Sequence, residues 1–141
     1  MKAALVKDYW QLVRPRIVVM VLFSMAIAAC VSGEVAPPVA EIAHALAGTA
    51  LVIAGAVALN QRLETRGDAR MPRTAGRPLP AGRLSGRQAT GFALALSAAG
   101  IVYLLAASHG GVVAVAAAAW VIYVWIYTPL KSRTVWQTPV G

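Results

Sequence analysis

The chain lacks most of what stabilises a soluble or a disulfide-stapled domain. Cysteine occurs once, at Cys30, so no intramolecular disulfide can form, no cysteine cluster is available for metal, and Cys30 reads as packing in an apolar stretch. Charged residues make up only 13% of the chain against 59% hydrophobic residues, a balance far from that of a soluble domain. Acidic residues number five in all, and none follows Asp68. There is no low-complexity linker, no convincing repeat, and no nucleic-acid-binding motif to accompany the formal charge of +8.

What is present is a series of long apolar runs free of Lys and Arg, at about 17–33, 39–59, 89–107 and 112–130. Each approaches the ~20 residues needed to cross a bilayer core. The expectation is an all-α integral membrane protein, with residues 1–141 forming one polytopic unit of four transmembrane helices in two hairpins. The first run is short and needs help from Leu12 and Val13 or local thinning. Lys2 and Lys7 ahead of it are also compatible with a cleavable signal peptide. Against that, Arg14-Pro15-Arg16 abuts the run and a second span follows at once.

The basic residues identify a partner by their placement. Lys2, Lys7, Arg14 and Arg16 precede the first span, and Arg62, Arg66, Arg70, Arg73, Arg77, Arg83 and Arg87 lie between the second and third. Lys131 and Arg133 follow the fourth, and the opposite connections, 32–38 and 109–111, carry none. The positive-inside rule then puts the N-terminus and the segment 60–88 in the cytoplasm, with the lipid bilayer and not nucleic acid as partner. Glu41, His44 and His109 fall near the external span ends, away from that segment, and are not expected to be ligands.

Segment 60–88 carries the polar chemistry. Its first part can prolong the second span as a helix until Pro72 ends it near Met71, with Gly67 as a weak point. From Arg73 to Gly86 repeated Gly and Pro predict an ordered, turn-rich loop. Ser85 and Gln88 then form a capping-box pattern at the head of the third apolar run. The connection His109-Gly110-Gly111 reads as a hairpin turn.

Asn60, Glu64 and Asp68 recur every four residues. At ~100° per residue each step turns only ~40° and climbs ~6 Å, so the three side chains share one helix face. Two carboxylates and a carboxamide at the mouth of a membrane cavity suit Mg²⁺, a hard cation that leaves coordination sites for phosphate oxygens. Arg62, Arg66 and Arg70 fall on the opposite face and read as headgroup or structural arginines. Arg73 and Arg77 lie beyond the proline break and are free to turn back, where their forked guanidinium groups can grip a diphosphate. Lys131 returns to the same side and adds charge, while Trp125 and Tyr127 lie at interfacial depth. A plainer reading is that Glu64 and Asp68 only pair with neighbouring arginines at a solvated helix end.

The pattern Asn60-x3-Glu64-x3-Asp68-x2-Met71-x-Arg73-Thr74-x2-Arg77-Pro78-Leu79-x2-Gly82 resembles the first signature of the UbiA-type intramembrane prenyltransferases. Asn60-Gln61, Glu64 as the middle acid, Met71, Leu12-Val-Arg14-Pro15-Arg16 and Tyr127-Thr128-Pro129-Leu130-Lys131 look most like the branch that farnesylates haem B. The resemblance implies a bundle of about nine spans with a second acidic motif, of which this chain is similar to the N-terminal half. It implies a bacterial cytoplasmic (inner) membrane location, and Mg²⁺ on Glu64 and Asp68 with Asn60 assisting. It further implies farnesyl diphosphate steadied by Arg73 and Arg77, and haem B as acceptor. Two alternatives stay open. One is a related enzyme acting on an aromatic or quinone precursor; the other is a non-catalytic four-span partner that associates, with a missing C-terminal half or other copies, through small-residue helix faces.

Overall fold

The computed structural model describes residues 2–31 and 38–128. Every regular element among them is helical. Helix α1 spans Lys2–Val13 and α2 spans Pro15–Val31, the two meeting at a 42° bend. Pro15 opens α2, where its missing N–H costs no intrahelical bond. Arg14, between them, has the left-handed φ of 48° that a break with a reversal of carbonyl direction requires.

Helix α3 runs from Val39 to Leu63, 25 residues, or about 37 Å at ~1.5 Å per residue. It is followed by one helical turn, α4, Thr65–Asp68. The expected continuation to Met71 is therefore too long. Thr65 explains the early interruption, because its hydroxyl donates back to the carbonyls of Gln61 and Arg62, at 3.0 and 2.8 Å. Such back-bonding competes with the ladder and bends a helix.

Helix α5, Gly86–Ala107, starts at the predicted capping box: the Ser85 hydroxyl accepts from the Gln88 N–H, and the Gln88 side chain accepts from the Ser85 N–H. Helix α6, Gly110–Val121, continues as a π-helical segment, Ile122–Tyr127. The expected turn 109–111 is shorter than predicted, since Gly110 and Gly111 already belong to α6 and His109 is its N-cap.

Helices α3 and α5 are each long and apolar enough to cross a membrane, and the bent pair α1–α2 makes a third candidate when counted as one span. The fourth apolar run forms a shorter apolar helix, Gly110–Ile126. Cys30, expected to pack, is exposed on α2.

The framework is the antiparallel pair α3–α5. Small residues let the backbones approach: a Cβ placed on Gly55 would stand 2.6 Å from the Ala93 carbonyl oxygen and 2.8 Å from the Ser97 nitrogen. Toward the Asn60 end, Leu12, Ala58, Leu79, Leu84, Ala89 and Ala93 form one buried cluster. This cluster binds α1 and the 69–85 loop to the α3–α5 pair. Arg83 adds a 3.0 Å ion pair from that loop to Asp8 of α1.

Candidate active site

The carboxamide and two acids predicted to share a face keep their register through the interruption of α3. The N–H of Glu64 bonds to the Asn60 carbonyl and that of Asp68 to the Glu64 carbonyl, each at 2.9 Å, so four-residue helical bonding links the three. Their surroundings differ. Asn60 is 3% exposed and Asp68 8%, whereas Glu64 is half-buried. The Asn60 carboxamide oxygen accepts a 2.8 Å bond from the Thr128 hydroxyl, and its nitrogen donates to the Tyr123 hydroxyl at 3.4 Å. Thr128 bonds in the same way to the Tyr123 carbonyl, at 2.9 Å. Asn60 thus ties the end of α3 to the π-helical segment.

Arg77 turns back as predicted. Its Nη1 donates to Oδ2 of Asp68 at 2.6 Å, a charge-assisted bond between partly buried groups. The loop that carries it is held on both sides. Thr74 donates to the Asp68 carbonyl at 2.8 Å, while Pro78 and Leu79 are buried against the α3–α5 pair. Arg73 does not join: it is exposed and has no side-chain partner among the described residues. Lys131 lies outside the described residues. Arg62, Arg66 and Arg70 are exposed, as their helical phase implied.

The pairing of Asp68 with an arginine was the plainer reading of this sequence. What the fold adds is a second arginine and an apolar cavity. Arg14, half-buried at the α1–α2 break, lies in the combined field of Arg77, Asp68, Glu64 and Tyr123. Two arginines and two carboxylates are therefore electrostatically coupled at one end of the helices, with Arg77 and Asp68 in direct contact. Burial there strengthens charge interactions relative to bulk water.

An apolar cavity of about 560 Å³ opens beside this cluster between α2, α3 and α6. Val21, Met25, Val57, Ala119 and Trp120 line it, and Tyr123 lies on its wall and touches Asn60. One residue therefore joins the apolar volume to the charged cluster. A second apolar cavity, of about 580 Å³, lies on the other side of α3 in the elbow of α1 and α2.

His44 hydrogen-bonds the Tyr103 hydroxyl at 2.7 Å, near the opposite end of α3 from Asn60. His109 lines a small cavity of about 210 Å³ with Glu41. Neither histidine reaches the charged cluster.

As for metal, no group of three or more His, Cys, Asp or Glu side chains forms among the described residues. Mg²⁺ needs fewer protein ligands, since one or two carboxylates with substrate phosphates and water suffice. Glu64 and Asp68 offer two such carboxylates, and the Asn60 oxygen, already accepting from Thr128, keeps a second lone pair. The donor set fits Mg²⁺ on a phosphate-bearing substrate.

Sequence reasoning missed Arg14 and Tyr123 as site residues and treated Gln61 and Thr128 only as motif letters. The Arg-Pro pair was the visible signal for Arg14, because proline cannot continue α1 and forces a joint there. No comparable signal marks Tyr123, whose direction depends on the π-helical register of its segment.

Comparison with known proteins identifies the family. Residues 20–141 match the UbiA prenyltransferase family. A protoheme IX farnesyltransferase of Rhodopirellula baltica is 39% identical over 131 residues, 93% of this chain and 46% of the relative. That of Solibacter usitatus is 38% identical over 144 residues, 96% of this chain and 49% of the relative. That of Sorangium cellulosum is 50% identical over 106 residues, 75% of this chain and 38% of the relative. The chain thus spans about half the length, or less, of these curated relatives, and aligns with their N-terminal part. No solved structure matches. With its acidic row, its loop arginine and helices α3 to α6 inside the matched region, this chain belongs to the UbiA prenyltransferase family.

Proposed function

We propose that this chain is the diphosphate-holding half of an enzyme that transfers the farnesyl group of farnesyl diphosphate to a vinyl group of haem B, giving haem O. The observation that carries this reading is the Asp68–Arg77 pair, in one helical row with Asn60, whose partner Tyr123 lies on the wall of an apolar cavity of about 560 Å³. The names of its relatives supply the acceptor.

In this reading Arg77 and Arg14 grip the diphosphate, with Arg73 on the same loop and Lys131 adding charge from beyond the fourth apolar run. Glu64 and Asp68 would hold Mg²⁺, assisted by Asn60. When bound, the ion neutralises the diphosphate and makes it a better leaving group. As the allylic C–O bond breaks, its electron pair leaves with the diphosphate, and the fixed arginine charges stabilise the developing anion. The apolar wall keeps water from the allylic cation, and the Tyr123 ring supplies a face that tolerates positive charge. A haem B vinyl carbon then attacks the cation to form the new C–C bond. Water adds to the carbocation left on the vinyl group, and a proton is lost to solvent to give the hydroxyl of the product.

The same reading keeps four membrane crossings in a bacterial inner membrane, with the N-terminus and loop 60–88 cytoplasmic. The α1–α2 pair and the Gly110–Ile126 helix supply the two crossings beyond α3 and α5. The test is to incubate membranes containing the chain, alone and extended to the length of its relatives, with haem B, farnesyl diphosphate and Mg²⁺, and with EDTA as control. Haem O in the Mg²⁺ sample of the extended protein is the expected mass-spectrometric result. Prenylation of an aromatic acid in place of haem B would move the assignment to the quinone-precursor branch; no prenyl transfer to any acceptor would remove it.

A further inference from the structure

The left-handed joint at Arg14 leaves carbonyls at the end of α1 without helical donors. The Gln11 carbonyl would receive the N–H of residue 15, but that residue is Pro15 and has none. The Leu12 carbonyl would receive that of Arg16, which lies beyond the break. Both are satisfied by one side chain from another helix: Gln61 Nε2 donates to the Leu12 carbonyl at 2.7 Å and to the Gln11 carbonyl at 3.2 Å. Gln61 is 2% exposed and follows Asn60 directly on α3.

The Arg14 carbonyl in turn accepts the first bond of α2, from the Ile17 N–H at 2.9 Å. One residue therefore ends α1, starts α2 and carries a cation into the field of Asp68 and Arg77. A non-glycine residue holds positive φ only where its surroundings determine it. Here those surroundings are Pro15, the fully buried Leu12 and the Gln61 amide.

We infer that Gln61 is a positioning residue for anion binding: by supplying the donor that Pro15 lacks, it holds the Arg14 joint and so aims the Arg14 charge at the substrate diphosphate. It touches neither diphosphate nor metal and acts through Arg14. This rests on the proposed diphosphate site and deepens it.

The test is a double-substitution cycle on the whole chain in lipid nanodiscs, with farnesyl diphosphate plus Mg²⁺ as the probe and farnesol as the uncharged control. Gln61→Met keeps the side-chain volume and removes the donor. It is expected to weaken farnesyl diphosphate binding about tenfold while leaving farnesol binding unchanged. Arg14→Gly keeps the left-handed joint and removes the charge, so it weakens diphosphate binding as well. Adding Gln61→Met to Arg14→Gly is then expected to change binding less than about twofold. If Gln61→Met yields no folded protein, Gln61→Asn, one methylene shorter with the amide kept, serves in its place and is expected to give a smaller loss of the same kind. Equal losses for farnesyl diphosphate and farnesol, or additive effects of the two substitutions, overturn the inference and leave the diphosphate site standing. Absence of diphosphate binding by the unsubstituted chain overturns both.

Discussion

Arg77 reaches back nine residues in sequence, past Pro72, to place its guanidinium 2.6 Å from the Asp68 carboxylate at the end of α4. In a chain with two acids between Glu41 and its last residue, this contact commits one of them to a specific cation. A second cation, Arg14 at the α1–α2 joint, interacts electrostatically with both acids.

Replacing Arg77 by Gln is expected to weaken farnesyl diphosphate binding by roughly 10- to 100-fold, the scale of a lost charge-assisted hydrogen bond of about 1.5–3 kcal/mol. Arg77→Lys should recover only part of the loss, because an ammonium cannot grip two oxygens as a planar fork does. Titration calorimetry in nanodiscs measures both. Equal affinities for Arg77→Gln and the parent would remove Arg77 from the site.

Asp68→Asn in the protein extended to its relatives' length should nearly abolish Mg²⁺-dependent turnover while membrane insertion persists. Unchanged turnover at saturating Mg²⁺ would take Asp68 out of the metal role.

The cavity between α2, α3 and α6 can be tested separately from the charges. Ala119→Trp adds bulk to its wall, and is expected to reduce binding of farnesyl diphosphate strongly while inorganic pyrophosphate binds as before. Equal reductions for both ligands would place the prenyl chain elsewhere, with the elbow cavity of α1 and α2 as the next site to block.

Two substitutions address the framework. Gly55→Ala forces a methyl against the Ala93 carbonyl oxygen and the Ser97 nitrogen, and should cost about 1–3 kcal/mol, the range for overpacking a tight contact. Ser85→Ala removes one half of the capping box and should cost about 1 kcal/mol. Thermal unfolding in detergent, followed by helical circular dichroism, is expected to rank Gly55→Ala at or below Ser85→Ala, and both below the parent.

Much of this architecture was legible in the residues because it depends on neighbours in sequence. Ser85 and Gln88 cap α5 through bonds spanning three residues, and the turns from Arg73 to Gly86 follow from local Gly and Pro preferences. The misreadings were also local competitions. Thr65 broke α3 earlier than Pro72 would have, and the first turn of α6 took in Gly110 and Gly111 with His109 as its N-cap.

The sequence by itself determined an apolar helical protein, the i, i+4, i+8 spacing of Asn60, Glu64 and Asp68, and the loop position of Arg77. Helix periodicity and hydropathy are read along one dimension, and these features need no more. Only the tertiary structure decided that Arg77 and not Arg73 turns onto Asp68, that Arg14 joins them, and that Tyr123 links the charged cluster to an apolar cavity. Those outcomes hang on contacts across 50 residues, as from Gln61 to Gln11, or across 68, as from Thr128 to Asn60. The energy of such contacts depends on how helices meet in space, which no local pattern encodes.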